Sequence, residues 1–265
     1  MVIVNHNASS SQRVYQAIII AAVCLGITFC EWVFAYRDVA YGIVLALFLA
    51  LIIYMVLPIL KMGPAFADSI ESLVLIPLYI LFTSSLPWFF LSQALLLPAV
   101  YSAVLALCAW HIYRKNISLR DIGFRHDKLL RYTLIGILCG APLGSIEYFV
   151  ITPAQAFPTF EIGYLLRDLV YMTAFVGLGE EVLFRGLVQR DLMKLFGWKG
   201  GLLVASLMFM VMHLTWRSIP ELGFTLFAGL VFGYLYHRTR SLTASTVAHG
   251  VGNTILVAVM PYLVS

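Results

Sequence analysis

The sequence predicts an all-α fold, a polytopic bundle of eight or nine transmembrane helices, and three observations carry that reading. The chain of 265 residues is 62% hydrophobic and 11% charged, with a mean hydropathy of +0.93. A soluble domain carries about 25% charged residues, so this surface is too apolar to be covered by water. The apolar residues also fall in successive runs near the roughly 20 residues that one helix needs to cross a bilayer. Lysine and arginine, finally, sit in the connections between runs, and mostly in alternate ones, the bias that orients membrane helices.

The runs follow in order. A short polar stretch and Arg13 precede the first, near 15–36. It is too long for the apolar region of a signal peptide, so an uncleaved first span is expected. Segments near 39–60, 70–91 and 93–113 follow. Pro87 and Pro98 bracket the 91–93 turn, so the third and fourth segments are either two spans or one kinked or re-entrant pair. A basic connection then carries Arg114, Lys115, Arg120, Arg125, Lys128 and Arg131. Segments near 130–151, 164–189, 200–216, 220–237 and 242–263 complete the chain, with a loop over 152–163 that holds no lysine or arginine.

Placing the basic 114–131 connection in the cytoplasm puts Arg13, Lys61, Arg190, Lys194, Lys199, Arg238 and Arg240 on the same side. Arg37, Arg167 and Arg217 fall outside, and Arg185 lies within a span. The expectation is a cytoplasmic N-terminus and, with nine spans, an external C-terminus. The same connection divides the chain into accessory N-terminal helices, 1–113, and a C-terminal core, 119–263. No basic patch is interleaved with aromatics, so nucleic acid is not an expected partner; the lipid bilayer is. Cys24, Cys30, Cys108 and Cys139 lie in apolar runs without a C-x-x-C pair and read as buried small hydrophobes. His111, His126 and His237 fall at span ends or in the basic loop and read as interfacial.

Three helix-spaced polar groups interrupt the C-terminal half: Glu180-Glu181-x-x-x-Arg185, Phe209-x-x-x-His213 and His249-x-x-x-Asn253. Charged and imidazole groups persist in hydrocarbon where they face one another or trapped water. At 1.5 Å per residue, Glu180 lies roughly 15 Å, His213 roughly 20 Å, and His249 and Asn253 roughly 10 and 16 Å from the same membrane face, so one cluster is allowed. Glu181 and Arg185 share a helix face and suit a supporting ion pair. Glu180 points about 100° away and is left for chemistry, as a general base near neutral pH. His213 suits orienting or activating a water shared with Glu180, with Phe209 packed beneath. His249 and Asn253 stack on one face and offer the donors that an oxyanion requires. Each group also has a purely structural reading as a tie between helices. The glycines at 177, 179, 186, 250 and 252 would let neighbouring backbones approach closely.

Two histidines and two glutamates also raise a zinc or di-iron site. No H-E-x-x-H or same-helix E-x-x-H occurs, and no cysteine lies near, so neither metal nor cofactor is expected. Ser206 and Ser245 stand in no Gly-x-Ser-x-Gly elbow.

The three groups, in this order, resemble the CPBP family (CAAX proteases and bacteriocin-processing enzymes, also called ABI), which includes the Rce1-type intramembrane glutamic proteases. The run Ser118-Leu119-Arg120-Asp121-Ile122-Gly123-Phe124 is similar to an element that often precedes the family's core. The resemblance implies a metal-independent peptidase in which Glu180 and His213 activate water, His249 and Asn253 stabilise the oxyanion, and Glu181 and Arg185 support the site. It implies hydrolysis near the C-terminus of a membrane-anchored or lipidated protein or peptide, as in CAAX-type or protein-sorting signal processing. The expected location is a prokaryotic plasma (inner) membrane. The alternatives are a non-proteolytic membrane protein of the same family (an immunity or scaffold factor), a small-molecule carrier, and a metal-dependent membrane protease.

Overall fold

The computed structural model describes residues 10–60, 62–85 and 91–264. The expectations resting on Lys61 and Pro87 lie outside the described residues. The described chain is helical and has no strands. Four long helices come first: α1 Ser10–Tyr36, α2 Val39–Val56, α3 Pro64–Ser85 and α4 Gln93–Arg114. After the basic connection comes α5 Leu129–Ile151. A continuous stretch then holds α6 Ile162–Tyr171, a π-helical segment Met172–Gly177, α7 Leu178–Glu181, a second π segment Val182–Gln189, and α8 Arg190–Val211. The last elements are α9 Ile219–Thr239, α10 Leu242–Thr254, a π segment Ile255–Val259 and α11 Met260–Leu263. Local chemistry sets several starts. Asp38, Ser218 and Ser241 cap α2, α9 and α10 by accepting from the backbone N–H of Tyr41, Glu221 and Thr243, which satisfies donors that a helix leaves unpaired.

Among the described residues, eight helical stretches are long and apolar enough to cross a membrane. One of them, Ile162–Trp216, spans 55 residues, far more than one crossing needs. It doubles back at Gly197, whose φ of 72° and ψ of 176° suit a residue without a side chain. Beyond that turn the arms run antiparallel. Gly201 is pressed against Met193, and the rings of Phe184 and Phe209 meet edge-on at 5.3 Å. The segments expected near 164–189 and 200–216 are thus the two arms of one hairpin. The protein is an integral multi-pass membrane protein. Its outer faces agree: α2 buries Gly42, Ala46, Ala50 and Ile53 at helical spacing, while Leu47, Phe48, Leu51 and Met55 are exposed, as lipid permits and water does not.

The largest apolar cluster joins Ile27 of α1, Leu73 of α3 and Val104 of α4 to Leu183 and Leu187 beyond α7. The 1–113 and 119–263 parts therefore share one core. In the C-terminal part, α10 lies unusually close to α5. A methyl placed on Gly140 would sit 2.3 Å from the Ala248 carbonyl oxygen, and one on Gly144 would sit 2.0 Å from that of Gly252. On its other side Gly250 of α10 is pressed against Thr173. Small residues fix this seam because backbone approach is the main source of attraction between helices in lipid. His111 departs from the interfacial expectation: it is buried in α4 with both ring nitrogens unpartnered among the described residues. The α3 and α4 neighbours that make the core close over it. His126 is exposed in the connection, and His237 stacks on Trp198 at 4.7 Å.

Candidate active site

Glu180 and Glu181 occupy one α-helical turn between two π-helical segments. Such widened turns shift side chains around the helix axis and recur at functional sites. Here they send the two carboxylates to different partners. Glu181 is fully buried, and its Oε1 lies 3.2 Å from an Arg185 guanidinium nitrogen and 3.1 Å from His249 Nδ1. The Arg185 guanidinium also donates to the Gly229 carbonyl at 3.1 Å and lies 4.5 Å from the Phe209 ring centre. Arg185 is the largest fully buried side chain. A lone charge there would be costly, and this cage of carboxylate, carbonyl and ring faces offsets that cost.

Glu180 faces the other way and is not left free. Its Oε1 accepts from the Tyr101 hydroxyl at 2.8 Å and lies 3.5 Å from the Tyr79 hydroxyl. Both donors come from α3 and α4, outside the C-terminal part. Its Oε2 lies 3.8 Å from His249 Nε2. His249 therefore bridges the two glutamates, with its ring stacked on Phe232 at 5.1 Å.

His213 lies two residues beyond the end of α8, where its Nδ1 donates to the Phe209 carbonyl at 2.8 Å. That bond leaves Nε2 as the acceptor. Glu180 is near enough to act on the ring electrostatically. Phe209 packs between the rings, 4.8 Å from His213 and 5.7 Å from His249. Asn253 makes no hydrogen bond among the described residues, and its amide faces a cavity that it shares with His213, His249 and Phe209. The cavity, about 20 Å³, has room for a single water, which needs about 10–15 Å³.

The sequence reading missed several groups at this site. Tyr79 and Tyr101 carry no motif and are ordinary residues in an apolar run. Glu147 lines the same cavity, as does Thr225, and stands beside Glu221. Glu31 is buried in α1, near enough to act on Tyr79. For these acids a signal was present: each is a charged residue inside an apolar run, the usual mark of function or pairing in a membrane. Among the described residues, no group of three or more histidine, cysteine, aspartate or glutamate side chains is arranged to hold a metal ion.

Residues 162–255 match the family model described as type II CAAX prenyl endopeptidase Rce1-like. This stretch of the chain is similar to the domain of that peptidase family, and it contains Glu180, Glu181, Arg185, Phe209, His213, His249 and Asn253. Tyr79, Tyr101 and Glu147 stand outside the matched stretch, so the Rce1-like domain meets groups from the rest of the chain at its own centre. No curated protein and no solved structure matches the chain.

Proposed function

We propose that the protein is an intramembrane glutamic endopeptidase that needs no metal. The observation that carries this reading is that His213, His249 and Asn253, from separate helical arms, line one water-sized space, with the Glu180 carboxylate 3.8 Å from His249 Nε2. Water held between the Glu180 carboxylate and His213 Nε2 gives up a proton to that carboxylate as its oxygen attacks the scissile carbonyl carbon, which makes Glu180 the carrier of the proton. The carbonyl oxygen becomes negative and is met by the Asn253 amide and by His249, which Glu181 and Arg185 hold in place. When the tetrahedral intermediate breaks down, the proton passes to the amide nitrogen. The C–N bond then opens to a carboxylic acid and an amine. Such preorganised donors act strongly in a dry site because they need no reorganisation as charge develops. Phe209 walls the site and excludes lipid.

The substrate proposed is a membrane-anchored or lipidated protein or peptide, cut near its C-terminus, which is supported by the likeness of residues 162–255 to CAAX prenyl endopeptidases. The N-terminus is proposed to face the cytoplasm of a prokaryotic cell, following the distribution of lysine and arginine. Helices 1–113 are proposed as accessory elements that position Glu180 through Tyr101. The test is Glu180→Gln in the purified protein, reconstituted in liposomes with a membrane-anchored reporter peptide. Cleavage should disappear while the melting temperature stays near wild type, and a chelator should leave wild-type cleavage intact. Full activity of Glu180→Gln would overturn the mechanism, and loss of activity to the chelator would overturn the metal-free chemistry.

A further inference from the structure

At one polar end of the bundle lies a second cavity, about 730 Å³ in volume. It is bounded by the start of α3, the residues that follow α4, the Ser118–Phe124 element, the start of α8 and the end of α9. Six cationic side chains line it: Lys115, Arg120, Arg125, Arg190, Lys194 and Arg240. The acids on the same walls are three, Asp68, Asp121 and Asp191, so the lining carries an excess of positive charge. Asp191 is shared between Arg190 at 2.7 Å and Lys194 at 2.8 Å, and Asp68 sits 2.9 Å from Lys115. Burial opposes the Lys115 charge, yet the Asp68 and Glu71 carboxylates outweigh it and raise the pKa of this ammonium. Arg120 and Arg240 have no ion-pair partner among the described residues.

The two unpaired arginines are held, not loose. Arg240 closes α9 in a left-handed conformation, with its N–H bonded to the Tyr236 carbonyl at 2.8 Å. The Gly123 carbonyl accepts from the Leu242 N–H at 2.9 Å, and Ile122 is fully buried. That bond ties the Ser118–Phe124 element to the turn between α9 and α10, and so fixes Arg120 and Arg240 over one space. Beside it lies an apolar cavity of about 620 Å³. Leu105, Cys108, Ala109 and Ile112 line it on α4, and Val182, next to Glu181, closes its inner side. Asn116 and Ile117 belong to the walls of both cavities. A basic chamber thus adjoins an apolar one across a single pair of residues.

We propose that these joined cavities bind one anionic phospholipid from the surrounding bilayer, with its phosphate head group against Arg120 and Arg240 and its hydrocarbon chain along α4 toward Val182. Charge complementarity selects the head, since basic recesses between membrane helices at head-group depth hold anionic lipid heads. The apolar chamber selects an amphiphile over a free anion. The Ser118–Phe124 element acquires a role in this way, as the plate that carries Arg120. The inference does not rest on the proteolytic reading, because its readout is lipid retention.

The experiment uses the full chain in detergent, with phosphatidylglycerol or phosphatidylcholine added, and native mass spectrometry of the lipid retained. Wild type should hold one phosphatidylglycerol in preference to phosphatidylcholine. Arg120→Gln with Arg240→Gln should lower that preference by about fivefold for each arginine removed. The paired lysine substitutions, Arg120→Lys with Arg240→Lys, should keep most of it. Ala109→Trp should fill the apolar chamber and release both lipids, with melting temperatures showing that the variants are folded. Inorganic phosphate at millimolar concentration should leave the lipid bound. Equal retention of the two lipids by wild type, or displacement by phosphate alone, would overturn the proposal. So would unchanged retention in folded Arg120→Gln/Arg240→Gln protein, or displacement of the lipid by a prenylated peptide, which would give the apolar chamber to substrate.

Discussion

Removing one oxygen atom from α4 tests how the two parts of the chain are joined at Glu180. In Tyr101→Phe the ring stays and the hydroxyl that donates to Glu180 Oε1 at 2.8 Å is lost. A hydrogen bond to a charged group contributes about 1.5–3 kcal/mol. If that is the energy that holds the carboxylate in its reactive position, its loss lowers kcat by about 10- to 150-fold, at about 1.4 kcal/mol per factor of ten. Tyr79 softens the effect. Its hydroxyl lies 3.5 Å from both the Tyr101 hydroxyl and Glu180 Oε1, so it can shift to donate in its neighbour's place. The lower part of the range, about tenfold, is therefore expected for the single substitution. Tyr79→Phe alone should cost little, since 3.5 Å is the outer limit of a hydrogen bond. The double substitution should fall below the product of the two, because the replacement donor is gone as well. The assay is cleavage of a membrane-anchored reporter in liposomes, with kcat and KM separated and the melting temperature recorded. A role confined to packing would move the melting temperature and leave kcat alone. Wild-type kcat in the folded double variant would refute the reasoning, because Glu180 would then be held by nothing that α3 and α4 supply.

Glu181→Gln removes the anion that balances a fully buried Arg185, at 3.2 Å, and should destabilise the protein by about 3–5 kcal/mol in a thermal melt. Adding Arg185→Met should recover much of that loss. Asn253→Ala should leave the melt unchanged, since the amide has no protein partner among the described residues, yet lower kcat by about 10²–10³-fold with little change in KM. Gly144→Ala places a methyl 2.0 Å from the Gly252 carbonyl oxygen. It should force α5 and α10 apart, cost about 1–3 kcal/mol in the melt and reduce cleavage through the displaced His249 and Asn253.

Much of this protein was legible in the sequence. The nine apolar segments all have helical counterparts, because a bilayer imposes both helix and length on any chain that crosses it. Two of them join into one stretch, 162–216, because Gly197 interrupts the helix and turns the chain back within a single residue, and glycine at that position gives no sign of whether a helix stops or reverses. The depths of Glu180, His213 and Asn253 could be counted along the chain at a fixed rise per residue. Facing direction could not be counted. The spacing of His249 and Asn253 put both on one helix face, but it carried no sign that His249 Nδ1 turns to Glu181 and its Nε2 toward Glu180.

What the sequence determined by itself was class, segment length and the identity of the polar groups placed in the hydrocarbon, since each follows from local composition and period. Only the tertiary structure decided which side chains meet. The π turns that flank Glu180 and Glu181 rotate the chain by amounts that depend on partner helices. The glycine seam of α5 sets how near α10 comes. The hydroxyls of Tyr79 and Tyr101 reach Glu180 across more than 75 residues of chain. Contacts of that kind are made between helices, and helix packing in lipid is governed by shape that no single segment contains.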